Sequence, residues 1–204
     1  MEITDPKTGD LIDVLREYSS VYLMNPDMVG WIKIPGTQLN YPVLRNSEDP
    51  NYYLKRDFYG QYARHGSVFA HALADLAAPS DNITLFGHNM GDGSMFAALH
   101  EYEKPEFYQE HPYIFFDTLT SHQIYRVVAA FYTTDQDTTF IYHDFIDGDE
   151  AHFMYYVDRC KELAMYDTGV TPVYGNKLLT LSTCDNDVID PHGRFVVVAM
   201  RVSL

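Results

Sequence analysis

The chain counts 204 residues with a formal net charge of −15, set by 29 Asp and Glu against 14 Lys and Arg. Phosphate binding needs concentrated Lys and Arg, so this balance argues against nucleic acid as a partner. An apolar share of 46% with 15% aromatics predicts one β-rich globular domain with a substantial core and excludes a disordered chain. No run reaches the roughly 18 apolar residues that a bilayer crossing needs, and no signal peptide is visible. The two cysteines, Cys160 and Cys184, permit at most one disulfide.

In chain order, Leu11, Val14, Leu15, Tyr18, Val21 and Tyr22 repeat at helical spacing, with Asp10 as a candidate N-cap and Pro26 beyond the end. That pattern predicts an amphipathic helix over 10–24, packed on the outside of the domain. Trp31–Ile34 and Leu39–Val43 read as strands joined through Pro35-Gly36. A polar loop over 46–51 and a short irregular segment over 52–59 lead to a strand at Ser67–Ala70 and a helical turn within 72–81. Asn82–His88 is predicted as a strand that ends on the histidine, before a loop that Gly91 and Gly93 make pliable. Ser94 is a candidate cap for a short helix through Leu99, and 104–111 forms another. Tyr113–Phe116 and Gln123–Tyr132 read as strands, and 135–142 as a polar turn. A capped helix follows over Asp149–Tyr166, with Phe153, Tyr156, Val157, Cys160, Leu163 and Ala164 on one stripe. This makes Cys160 a packing residue. So many short strands predict a mainly β fold, a closed barrel or a sandwich.

The last two strands carry the chemistry. Leu178–Cys184 and Arg194–Val202 are rich in apolar and β-branched residues, and the intervening Asp185–Gly193 has loop composition. A hairpin places Cys184 at the exit of one strand and Arg194 at the entrance of its neighbour. A guanidinium beside a thiol favours the thiolate and can hold a substrate oxygen. The plainer alternative is a buried small thiol at a strand end and a solvated arginine. Of nine histidines, His88 stands out by ending an apolar strand before a Gly-rich loop, and His192, two residues from Arg194, is the local rival.

Thr180-Leu181-Ser182-Thr183-Cys184 followed by Arg194, with Phe86-Gly87-His88-Asn89-Met90 upstream, resembles the signature of the sortases, the cysteine transpeptidases of Gram-positive cell surfaces. The entry segment Asn25–Thr37, with Gly30-Trp31-Ile32-Lys33-Ile34-Pro35-Gly36-Thr37, is similar to the start of class B members, as are Tyr41-Pro42-Val43 and Gly66-Ser67-Val68-Phe69. The resemblance covers about residues 10–204. It implies a sortase-type closed β-barrel with an N-terminal helix and a long helix between the sixth and seventh strands, matched by 149–166. Residues 1–25 would form a tail and helix packed on a catalytic barrel of 26–204.

The resemblance also implies roles. Cys184 would be the nucleophile, His88 the acid and base, and Arg194 the group that holds the substrate carbonyl or its oxyanion, for which a planar charged fork suits better than lysine. The substrate would be a sorting motif near the C-terminus of a secreted protein, of Asn-Pro-x-Thr or Leu-Pro-x-Thr type. The acceptor would be an amine of the peptidoglycan precursor or a pilin. Candidate substrate-binding residues are Ser182, two before Cys184 and on the same strand face, the Asp185 N–H, Leu54, Thr138 and Tyr142. No HxxxH or CxxC pair is present, so neither a metal nor another cofactor is expected. Sortases carry an N-terminal membrane anchor, so the expected location is the extracellular face of the cell membrane, held by a segment not included in these residues. Three alternatives share the sequence features: a cysteine endopeptidase with water as acceptor, a pilus-assembling sortase, and a binding module that leaves the three residues idle.

Overall fold

A computed structural model describes residues 1–184 and 192–203, with Cys184 described by its backbone. The chain opens with a two-stranded hairpin, β1 (Glu2–Thr4) and β2 (Leu11–Asp13), then a helix, α1 (Arg16–Met24). Eight further strands follow: β3 (Met28–Lys33), β4 (Asn40–Leu44), β5 (Val68–Ala70), β6 (Asn82–Phe86), β7 (Tyr113–Thr118), β8 (Ile124–Thr134), β9 (Leu178–Cys184) and β10 (Gly193–Val202). They close into a barrel in the order β10-β8-β7-β3-β4-β5-β6-β9. Two contacts are parallel, β4 with β5 and β6 with β9, and the others are antiparallel. Closure leaves no unpaired edge among these strands. A short helix, α2 (Pro105–Glu110), precedes β7. The long helix, α3 (Glu150–Leu163), lies between β8 and β9, which are the sixth and seventh strands of the barrel.

Period-two alternation sorts the barrel strands into an inner and an outer face. Ile32, Ile34, Leu85, Phe116, Leu179, Leu181 and Val197 fill the interior, each at most 1% exposed. The outer faces of β8 and β10 are equally apolar because α3 covers them: Phe153, Tyr156, Val157 and Cys160 pack on Val128, Phe131, Val196 and Val198. Fully burying a side chain of this size is worth about 1.5–3 kcal/mol, so this seam holds α3 to the barrel. Asp149 caps α3, its carboxylate accepting from the His152 N–H at 3.0 Å. A third cluster seats α1, with Tyr22 against Met28, Leu44, Tyr53 and Phe69.

Local periodicity misplaces the first helix. Residues 11–13 pair as a strand with residues 2–4, the Val14 N–H donates to the Met1 carbonyl at 2.9 Å and the Leu15 N–H to the Leu119 carbonyl at 2.7 Å. Tertiary partners take the backbone groups that a helix would use, so α1 starts at Arg16 and Asp10 caps nothing. Leu11, counted on the apolar stripe, is 65% exposed. Residues 72–81 hold turns without a helix. Ser94 spends its hydroxyl on Asp92 Oδ1 at 2.6 Å, and the helical segment that follows, Ala97–Glu103, is of the 3-10 type. The strand before His88 ends two residues earlier, at Phe86.

Candidate active site

Sheet register gathers the site. β9 and β10 pair so that Cys184 lies opposite Arg194. β6 runs parallel to β9 with Phe86 beside Ser182, and the Gly87 N–H donates to the Ser182 carbonyl at 3.2 Å. The residue after Gly87 therefore emerges at the end of the barrel where β9 finishes. A Cβ at Gly87 would stand 2.7 Å from the Phe96 ring, so glycine lets this segment pack against the loop behind it.

His88 is fixed from the other side of the cleft. Its Nε2 lies 2.7 Å from the Leu54 carbonyl. A carbonyl only accepts, so Nε2 carries a proton and Nδ1 is the basic nitrogen of the neutral ring. Leu54 belongs to a 3-10 turn, Tyr52–Lys55. Gly66, at φ +57°, passes so close to it that a Cβ would meet the Leu54 carbonyl oxygen at 2.5 Å. That oxygen is thereby hemmed into the position from which it holds the imidazole.

Arg194 is held as firmly. One Nη donates to the Gly193 carbonyl at 2.7 Å and the other to the Asp135 carboxylate. Asp135 follows β8 directly, where Thr133 faces Arg194 across the sheet. Its second oxygen lies 3.0 Å from His192 Nδ1 and 3.0 Å from Gln136 Nε2, and its backbone N–H donates to the His192 carbonyl. Burial acts to raise the Asp135 carboxyl, but the Gln136 amide and the Arg194 and His192 charges outweigh it and hold it below the ordinary carboxylate range.

A cleft of about 330 Å³ joins these groups, with His88, Arg194, Asp135, Ser182 and Tyr142 on its walls. Ser182 and Tyr142 are each 2% exposed and share a hydrogen bond of 2.7 Å between their hydroxyls. Leu54 also lines the cleft. Of the sequence-predicted residues, His88, Arg194, Ser182, Leu54 and Tyr142 thus meet in one hollow, at the end of β9 that Cys184 closes. Thr138 is exposed and is not among the residues that line the cleft. Asp185 lies outside the described residues. His192 reaches Asp135 and Gln136.

The cleft holds residues that sequence patterns did not single out. Asp135 carries no local signal, since its bond to Arg194 arises from strand pairing. His71 and His143 line the wall with ring centroids 6.4 Å apart. Burial, then the neighbouring His143, pushes the His71 imidazole below its ordinary pKa. The Thr183 hydroxyl is buried with no hydrogen-bond partner among the described residues. Cys160 is a free thiol, fully buried under α3, and burial pushes its pKa far up, so it is neither half of a disulfide nor a nucleophile. No helix among the described residues is long and apolar enough to cross a membrane.

Comparison with known proteins bears on the family and the fold. A sortase domain family model matches residues 32–202. Sortase B of Staphylococcus aureus is 34% identical over 191 residues, which are 94% of this chain and 77% of that protein. Sortase B of Listeria monocytogenes is 33% identical over 196 residues, 96% of this chain and 76% of that one. Among solved structures, a Staphylococcus aureus sortase B–substrate complex superposes with a TM-score of 0.85 at 32% identity, covering 94% of this chain and 87% of that chain. A Bacillus anthracis sortase B in complex with AAEK1 gives 0.83 at 31% identity, over 94% and 86%.

Proposed function

This chain belongs to the sortase family, with class B members as its relatives, and from that premise we propose that it is a cysteine transpeptidase acting on a sorting motif of secreted proteins. The motif is of Asn-Pro-x-Thr or Leu-Pro-x-Thr type, and the acceptor is an amine of the cell-wall precursor. The enzyme works at the outer face of the cell membrane. The observation that carries the reading is the register that sets Cys184 opposite Arg194 at the end of the strand flanked by the His88 segment.

In this reading the Cys184 thiol passes its proton to His88 Nδ1, and the resulting thiolate adds to the carbonyl carbon of the motif threonine. Arg194, its guanidinium oriented by Asp135, stabilises the oxyanion. The C–N bond breaks as His88 gives a proton to the departing amine, leaving a thioester on Cys184. The acceptor amine then attacks that carbonyl and loses a proton to His88. The C–S bond breaks, an amide forms and the thiolate is restored. The Ser182–Tyr142 pair offers hydroxyls to the motif backbone from a buried wall.

A motif-bearing peptide, followed by mass spectrometry with and without an added amine such as triglycine, tests the reading. Cleavage with amide product is expected, abolished in Cys184→Ala. Hydrolysis that no amine diverts would replace transpeptidation by endopeptidase action, and a Cys184→Ala variant that still cleaves would remove the nucleophile assigned here.

A further inference from the structure

A second hollow, of about 550 Å³, borders the first, and among the described residues only His88 lines both. Its other walls are Asn89, Met90 and Gly91 from the loop after His88, and Lys55, Tyr62 and Arg64 from a small folded-back segment. The fold of that segment explains the grouping. Arg56 and Tyr62 bridge antiparallel, and the Ala63 N–H donates to the Lys55 carbonyl at 3.0 Å, which brings Lys55 and Arg64 to its open end.

Charge marks this hollow out. The chain holds 29 acidic residues against 14 Lys and Arg, yet among the described residues neither Lys55 nor Arg64 has a carboxylate partner. Two carboxylates close in sequence to the walls of the hollow, Asp57 and Asp92, are spent on their own turns. Asp57 accepts from the Tyr59 and Gln61 N–H groups at 2.9 Å each, and Asp92 from the N–H and hydroxyl of Ser94. Between the two cations stands Tyr62 in sequence, 79% exposed, offering a bare ring face. An aromatic face with cations that no carboxylate among the described residues neutralises suits a ligand with a negative charge and a flat or ring-shaped body.

Resting on the transpeptidase reading, we propose that this hollow is the acceptor site, and that the acceptor amine is carried on an anionic group, phosphate or carboxylate, which pairs with Lys55 and Arg64. The donor peptide fills the cleft that holds Ser182 and Tyr142, so the acceptor must reach the thioester by another route, and its amine must pass His88 to lose its proton. A hollow that, among the described residues, shares His88 alone with the cleft meets both requirements.

The test compares three acceptors with one donor peptide at low ionic strength: triglycine, triglycine amide, and triglycine joined by an amide to phosphoethanolamine. The readout is the ratio of amide product to hydrolysis, for the natural chain and for the Lys55→Glu/Arg64→Glu variant. Both side chains are exposed, and circular dichroism checks that the fold is kept. Two exposed ion pairs and their reversal predict a fall of roughly fivefold or more for anionic acceptors, and less for the amide. Added salt should shrink the difference. A fall confined to the phosphate conjugate identifies phosphate, and a fall shared by triglycine identifies any anion. Equal changes with all three acceptors, or none, would overturn the acceptor site while amide formation by the natural chain kept the transpeptidase reading intact. If the natural chain gives hydrolysis alone with all three, both fall together.

Discussion

Replacing Thr180 with valine tests the polar seam beneath the cysteine strand. Thr180 is fully buried on β9, where its hydroxyl donates to Asn82 Oδ1 on β6 at 2.8 Å and accepts from the Tyr156 hydroxyl of α3 at 2.7 Å. Asn82 Nδ2 carries the chain on to the Phe145 carbonyl at 2.9 Å. Valine keeps the β-branched shape, so the change opens little cavity. What it removes is the partner of a buried phenol and of a buried amide oxygen. Stranded groups of this kind cost about 1–3 kcal/mol each, which predicts a loss of about 2–6 kcal/mol. The Cys160 thiol beside Tyr156 is only a weak substitute acceptor. Tyr156→Phe deletes one donor and leaves Thr180 bonded to Asn82, so its loss should be about 1 kcal/mol. In the double variant one of the stranded groups no longer exists, and the combined loss should fall short of the sum by about 1 kcal/mol or more. Urea titration, read as a shift in midpoint at constant slope, measures all three. A Thr180→Val loss below about 1 kcal/mol, or strict additivity of the pair, would refute the reasoning.

Other expectations follow from the cleft and the seam. If Arg194 holds the oxyanion as proposed, Asp135→Ala should lower kcat about tenfold with a smaller change in KM, because the guanidinium is no longer anchored, and should add nothing in an Arg194→Ala background. An equal loss in both backgrounds would show that Asp135 does not act through Arg194. His71 prefers its neutral form when folded, so the unfolded chain binds the extra proton on acidification. Its contribution is present above its unfolded pKa of about 6.5 and is lost as pH falls through the depressed folded value. Thermal melts should therefore show a smaller loss of stability between about pH 7 and 5 for His71→Phe than for the natural chain. A methanethiosulfonate reagent should modify one thiol per folded chain and two in urea, since Cys160 is sealed under α3; modification of two in the folded state would contradict that seal.

Several features were legible before any coordinates because their causes are short-range. Asp149 stands three residues before the N–H that it caps, and Phe153, Tyr156, Val157 and Cys160 return to one face within the pitch of a helix. The β-branched runs on either side of the 185–191 segment had to be strands, and antiparallel neighbours of that length bring Cys184 opposite Arg194. The Gly87-His88 pair at a strand end is equally a local pattern. The first helix misled for the converse reason: its apolar spacing continued into residues whose backbone partners, Met1, residues 2–4 and Leu119, lie outside any helical window.

Residue order alone therefore settled most of the barrel strands, the long helix and which side chains are chemically suited to the site, but not the start of the chain, where residues 11–13 form a strand. The closed barrel decided how they are held. The parallel pairing of β6 with β9 carries His88 to the end of the cysteine strand, the Leu54 carbonyl reaches the imidazole from 34 residues away, and Asp135 reaches Arg194 across 59. Caps and periodic faces act over a few residues and are written in the text of the chain. Pairings across tens of residues depend on which strands share hydrogen bonds, and that is chosen only when the whole sheet closes around a common core.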